Sequence, residues 1–361
     1  MIGFAAFEIV HLALPLRQPH VAAHGIERLR ETVLVRAMSD DGIEGWGECP
    51  ALTSPTYTSE YAAGAFALLR DVLAPQVLDD EDVLERLDEH PMAVAGIRGA
   101  CLDAELRHRG ESLASMLGAS RRVVVCTAVV SGTSIDDVLA TVAARLGEGY
   151  VHVSIKVVGA EGLEVVRRVR DNWPAVSVAI DANGSLCDPS LAALVDELDL
   201  SYVEQPCPPG PWEAIAAFTN ELRTPVALDE AIGNEADVEA AGRLGAAEIL
   251  NLKPARLGGA DLARPVLERA RMAGFDVLCG GLLESGIGRA HALAFAALEG
   301  CSLPTQLGPS DRYYEEDVIR EPFVLGAGAT LTVPVGPGIG VSPDEQRLAG
   351  VTVERAMVTR R

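Results

Sequence analysis

Five charged residues close five successive apolar runs in the second half of the chain. They are Lys156 in VHVSIKVV, Asp181 in VSVAIDANG, Glu204 in LSYVEQP, Asp229 in PVALDEA and Lys253 in EILNLKP. The intervals are 25, 23, 25 and 24 residues. One strand, one helix and two short loops fill such an interval. Three consecutive carboxylates, Asp181, Glu204 and Asp229, offer a hard oxygen site to a divalent cation. Lys156 and Lys253 flank them. A cation on a substrate carboxylate acidifies the adjacent carbon, and a lysine whose pKa is lowered by burial and by that cation can take the proton. If both lysines exchange protons with one carbon, the outcome is racemisation. If one does all the proton work and the other stabilises charge, elimination or cycloisomerisation follows. Each residue alone has a duller reading. A strand-end Asp can simply cap the next helix, and a lone strand-end Lys is ordinarily a solvated rim charge. The order Lys, Asp, Glu, Asp, Lys on successive strands argues against accident.

From about residue 122 the chain alternates strictly between strand and helix patterns. VVVCTAVV reads as the first strand, VHVSIKVV as the second, and SLPTQL, after DVLCGG, as the eighth. The runs are nearly all Val, Ile, Leu and Ala, as expected of parallel strands covered on both faces. The fold class is α/β, with a modified (β/α)8-type barrel of parallel strands. An open doubly wound sheet would need a Gly-rich phosphate turn after its first strand, and GTSID is a poor match. Barrels carry their functional groups at the C-terminal strand ends. Lys156 and Lys253, on the second and sixth strands, then face each other across the mouth, with the acids along one arc. Residues 1 to about 50 read as strands (FEIVHLALPL, then ETVLVRAMSDDGIEGWGE) with a turn at Asp40-Asp41-Gly42. RQPHVAAHGIERLR between them lacks a period and reads as a surface loop. Residues 58–118 turn helical. The expected organisation is an α+β capping domain over 1–120, a barrel over 121–310 and a tail over 311–361 that completes the cap. TLTVPV is the run expected to return to the N-terminal domain.

The chain has 361 residues, with 30 Lys plus Arg against 52 Asp plus Glu, and a formal net charge of −22. That surface argues against nucleic acid or anionic membrane as partners. The seven cysteines are scattered, which favours small buried hydrophobes over a disulfide framework or a thiolate metal site. The N-terminus lacks the marks of a signal peptide and no apolar run is long enough to span a bilayer, so a cytoplasmic protein is expected.

Taken together, LDAELR, IDAN, EQP, LDE, NLKPARLGG, CGGLLESGIGRAH and SDRYYEED resemble the enolase superfamily. Within it the muconate lactonizing enzyme subgroup is similar, closest in its o-succinylbenzoate synthase / N-succinylamino acid racemase branch. The resemblance covers nearly the whole chain, including GIEGWGE. It implies Mg²⁺ (with Mn²⁺ as a substitute) on Asp181, Glu204 and Asp229, and Lys156 and Lys253 as the acid/base pair. It also implies Asn183 and Glu230 as groups that orient the ligands and Lys253, and Arg256 beside them. Glu284, Leu282, Val129 and Ser310 are implied substrate contacts. So is His24, on the segment 16–30 that would cover the mouth. As residues alone, His20 and His24 read as exposed loop histidines, His291 as structural, and Trp46, Trp173 and Trp212 as packing. A small-molecule carboxylate substrate and a homo-oligomer are implied as well. The implied activity is o-succinylbenzoate synthase, N-acylamino acid racemase, or both. Alternatives are a dipeptide epimerase, a muconate cycloisomerase, or a non-catalytic binder of small acids. Two departures stand out. Ser154 replaces the first lysine of the usual Lys-x-Lys, and Gly308 replaces the first serine of a Ser-x-Ser that Ser310 completes.

Overall fold

The parallel sheet follows from its runs. In the computed structural model, which describes residues 2–22, 25–80, 83–84, 86–87 and 89–360 (backbone only within 19–26), the Val/Ile/Leu segments lie buried between helices and barrel interior. Three N-terminal strands come first: β1 (Phe4–Ala22), β2 (Gly25–Ser39) and β3 (Glu44–Cys49). After the helices comes a short strand β4 (Val123–Val125). Then follow the barrel strands β5 (Ala128–Val130), β6 (His152–Lys156), β7 (Ser177–Asp181), β8 (Val203–Glu204), β9 (Val226–Leu228), β10 (Ile249–Leu252) and β11 (Asp276–Cys279). Two strands close the chain, β12 (Thr330–Thr332) and β13 (Thr352–Thr359).

β5 to β11 form one seven-stranded parallel sheet in chain order. β9 and β10 are buried along their whole length, as a doubly covered sheet requires. The helix Ile135–Gly147 shows how the connecting elements are built. The Ser134 side chain accepts from Asp137 N at its start, and Val138 and Val142, one turn apart, form its buried stripe.

The N-terminal sheet is antiparallel, in the order β13-β1-β2-β3. The helix Pro91–Arg109 lies on β3. The GIEGWGE motif has its explanation here. A Cβ on Gly45 would overlap the backbone of Ala100 and Ala104, and one on Gly47 would overlap Gly96 O, so only glycine lets helix and strand meet this closely. The turn expected at residues 40–42 joins β2 to β3.

Several expectations are corrected. The described residues of RQPHVAAHGIERLR, 17–22 and 25–30, are not a loop but belong to β1 and β2, paired from Ala22↔Gly25 inward with an irregularity between Pro15 and His20. Cross-strand pairing supplies the order that the polar sequence does not signal. VVVCTAVV is two strands. β4 leaves the barrel to pair antiparallel with β12, so TLTVPV meets β4 and not the N-terminal sheet. The tail strand that does join that sheet is β13, paired with β1. SLPTQL forms no ladder strand among the described residues. It closes the ring through single hydrogen bonds: Leu303 N to Val277 O, Gln306 N to Cys279 O, and Thr127 N to Thr305 O. Five of the seven cysteines, Cys49, Cys101, Cys126, Cys279 and Cys301, are buried and outside any disulfide. Cys187 and Cys207 depart from the small-hydrophobe reading and form a disulfide between the loops after β7 and β8. No helix among the described residues is long and apolar enough to cross a membrane.

The cap is fastened to the barrel by a buried carboxylate. Glu48, in β3, accepts from Ser285 N at 3.0 Å and Gly288 N at 2.8 Å, at the start of the helix Gly286–Ala296. It also accepts from the Thr32 hydroxyl at 2.9 Å. The buried Arg30 side chain donates to Leu282 O, Ala51 O and Pro50 O. Through Arg30 these bonds tie Pro50 and Ala51 of the cap to Leu282 of the barrel.

Candidate active site

The ladder sets the site. Lys156 and Asp181 are register partners on β6 and β7, and Asp181 and Glu204 are partners on β7 and β8. Asp229 and Lys253 follow immediately after β9 and β10. All five therefore reach the same end of the sheet. A cavity of about 130 Å³ opens there, lined by Lys156, Asp181, Asp229 and Lys253. Glu204 lies beneath it, 1% exposed.

Each lysine is paired with an acid. Lys156 Nζ donates to Asp181 Oδ2 at 2.7 Å and to Asn183 Oδ1 at 3.3 Å. Lys253 Nζ donates to Asp229 Oδ2 at 2.6 Å and to Tyr57 Oη at 3.0 Å. Burial lowers the pKa of both ammonium groups, but Asp181 overrules it for Lys156, and Asp229 and then Tyr57 for Lys253. Both lysines are held charged. Burial also pushes Asp229 up, yet Lys253 and Arg256 hold it below the carboxylate range. Glu204 makes no ion pair among the described residues, and Lys253 offsets its burial only in part. Burial, then Asp181 and Asp229, push it up to about 8. Glu230 is pushed up to about 7 by burial and by Asp229.

Among the described residues, no three acid, His or Cys side chains already form a metal cluster. The donor set nonetheless fits a hard cation. Three carboxylates end neighbouring strands, Asp229 Oδ1 and Glu230 Oε2 are buried without a hydrogen bond, and Glu204 is crowded by like charge. Among the described residues, Asp229 Oδ1 has the Arg256 guanidinium at 3.2 Å, outside hydrogen-bond alignment. The two ammonium groups supply the positive charge that these acids need.

The surrounding residues support this set. Asn183 Nδ2 donates to Glu230 Oε1 at 2.9 Å, so Glu230 orients Asn183 by hydrogen bond and reaches Lys253 only through charge. Arg256 donates to Asp229 O at 2.5 Å, Ile232 O at 3.1 Å and Tyr57 Oη at 2.8 Å. Glu284, Leu282 and Val129 line the cavity. Ser310 does not. It is buried, donates to the Asp317 carboxylate and accepts from Phe323 N at 3.1 Å, a closed structural bond set that corrects its expected substrate contact. His24 lies outside the described residues, while His20 is backbone-paired with Glu27. His291 bonds Trp46 O at 3.1 Å, a structural contact. Trp46 is in the core, with Trp173 and Trp212 packed against it.

Sequence reasoning missed Tyr57 and Arg289. Tyr57 enters from the cap, with Lys253 Nζ 5.1 Å and the Arg256 guanidinium 5.6 Å from its ring centre. The loop that carries it has no period to flag it. Arg289 is buried in the helix after β11, donates to Gly308 O and Glu284 O, and stacks 4.8 Å from the Tyr313 ring centre at the cavity wall.

A family model described as "Mandelate racemase / muconate lactonizing enzyme, N-terminal domain" matches residues 5–118, and one described as "Enolase C-terminal domain-like" matches residues 137–347. An N-succinylamino acid racemase of Amycolatopsis is 38% identical, with 97% of this chain and 98% of that one covered. An o-succinylbenzoate synthase of Bacillus subtilis is 32% identical, with 96% and 95% covered. The crystal structure of a muconate lactonizing enzyme from Pseudomonas fluorescens, complexed with muconolactone, superposes with a TM-score of 0.90 at 26% identity, covering 97% of this chain and 99% of that one.

Proposed function

Because the chain belongs to the mandelate racemase / muconate lactonizing enzyme group of the enolase superfamily, we propose that it removes a proton α to a carboxylate on a small organic acid. Membership of the superfamily implies a divalent metal. Our reading is Mg²⁺, held by Asp181, Glu204 and Asp229. The substrates we favour are N-acylamino acids, in a racemisation, and the precursor of o-succinylbenzoate, in a dehydration. The observation that carries the reading is one cavity lined by Lys156 and Lys253, from β6 and β10, with acids on the strands between.

When bound, a divalent cation supplies the positive charge that draws in the substrate carboxylate and acidifies its α-carbon. The lysines do the proton work. Asp181 and Asp229 now keep them charged. Were those carboxylates to hold a cation instead, burial would act on the lysines with less opposition and would lower their pKa towards that of a base. One lysine then takes the α-proton and the other, still an ammonium, stands ready to return one from the opposite side. Tyr57, itself held by Arg256, holds Lys253 in place, and Asn183 holds Lys156. The apolar lining from Leu282 and Val129 keeps water from the reacting carbon.

The test is α-proton exchange in deuterium oxide, with Mg²⁺, over a panel of N-acylamino acids and the dehydratase substrate. Wild type should exchange at least one panel member, and Lys156→Ala and Lys253→Ala should each abolish racemisation. Metal binding without exchange on any member would replace the enzyme by a small-acid binder.

A further inference from the structure

Glu204 is held by two side-chain amides. Asn251, in β10, donates to Oε1 at 2.7 Å. Gln306, in the segment that closes the ring, donates to Oε2 at 2.5 Å. The two amides are themselves joined, Asn251 Nδ2 to Gln306 Oε1 at 3.0 Å. A carboxylate has about four lone-pair sites, so two amide donors leave each oxygen able to take one further contact. The amides also add no charge. A carboxylate at position 306 would set another negative group against an acid already crowded by Asp181 and Asp229, and a lysine would compete for it as a permanent counter-ion.

The support comes from a weakly fastened part of the barrel. β8 is only two residues long, so the ladder restrains Glu204 little. Gln306 belongs to no strand; its backbone is tied to β11 by Gln306 N to Cys279 O at 3.0 Å. Of the two amide residues, Gln306 also lines the cavity. It therefore touches the carboxylate, the seam of the barrel and the substrate space at once.

We infer that Gln306 is a positioning residue for the metal site: its amide fixes the rotation of the Glu204 carboxylate, and through it the closing of the ring at 303–306 sets the affinity for the divalent cation. The inference rests on the metal-dependent reading above. Removing such an outer partner costs on the order of 10- to 100-fold in metal affinity.

Calorimetric titration of the metal-free protein with MnCl₂ tests this directly. Gln306→Met keeps the length and loses the donor, and Gln306→Asn keeps an amide on a shorter arm. Gln306→Met should bind Mn²⁺ about 10- to 100-fold more weakly than wild type. Its metal-free melting temperature should be little changed, so that a loss of affinity reports the metal site and not unfolding. Gln306→Asn should fall between the two. A folded Gln306→Met with wild-type Mn²⁺ affinity overturns the inference and leaves the proposed function standing. If the methionine variant does not fold, wild-type affinity in Gln306→Asn overturns it instead. A wild-type protein that binds no Mn²⁺ overturns both.

Discussion

Replacing Ser154 by lysine should make this protein work at lower pH. Ser154 and Lys156 lie two apart on β6 and so point to the same face of the strand. Ser154 is completely buried, its hydroxyl has no hydrogen-bond partner among the described residues, and its ladder neighbours are Val129 and Ala179. The site thus carries no positive charge beneath Lys156. Two residues along a strand span about 6.6 Å. At an effective dielectric of about 20, two ammonium groups at that distance repel by about 2.5 kcal/mol. At 1.36 kcal/mol per pH unit this is about 1.8 units, and about half that with stronger screening. The repulsion disfavours the charged form of Lys156, so its pKa falls and the free base appears earlier. The assay is kcat/KM for α-proton exchange against pH, with melting temperature as the check on folding. The acidic limb of Ser154→Lys should move down by about one to two pH units. An unmoved or alkaline-shifted limb in a folded variant would refute the electrostatic reasoning.

Three further outcomes are expected. Tyr57→Phe removes the hydroxyl shared by Lys253 and Arg256 but keeps the ring over both. A hydrogen bond to a charged group contributes about 1.5–3 kcal/mol, so kcat should fall at least tenfold with KM nearly constant; a change confined to KM would contradict a role through Lys253. Metal-free protein should lose stability as pH rises. Glu204 and Glu230 are raised from 4.5 to about 8 and about 7, so between those values the folded state binds more protons than the unfolded one. Asp229, held low, titrates below this window and the two lysines above it. Melting temperature in chelator should therefore decline from about pH 5 to pH 8, and Mg²⁺ should flatten the decline; a chelated protein that gains stability over that range would contradict the assignment. Finally, Cys187→Ser opens a disulfide that spans 20 residues and should cost about 3 kcal/mol, read by denaturant unfolding under oxidising conditions. An unchanged midpoint would show that the loops after β7 and β8 hold together without the bond.

The barrel was legible because it repeats. Each strand from β6 to β10 is a short apolar run, and the repeat locates the run's last residue without any knowledge of packing. The N-terminal hairpin was not legible at its far end. The described residues of RQPHVAAHGIERLR, 17–22 and 25–30, are ordered by pairing between two strands, and a polar segment does not announce its partner. The ends of the ring were misread for a related reason. β4 and SLPTQL have ordinary strand composition, but which edge a short segment joins is settled by what lies beside it, β12 in one case and scattered hydrogen bonds in the other. Ser310 looked like a substrate contact by its place in the motif, and a single neighbouring carboxylate, Asp317, turned it inward.

The amino-acid sequence by itself determined the family, the repeating strand and helix unit, and which five charged side chains arrive at one end of the sheet, because all three depend on residue type and spacing along the chain. Only the tertiary structure decided what surrounds them. Tyr57 comes from the cap, 196 residues before Lys253, and Gln306 bonds Glu204 across 102 residues. Contacts between segments so far apart depend on how cap and barrel dock and on how the ring closes, and no local pattern encodes either.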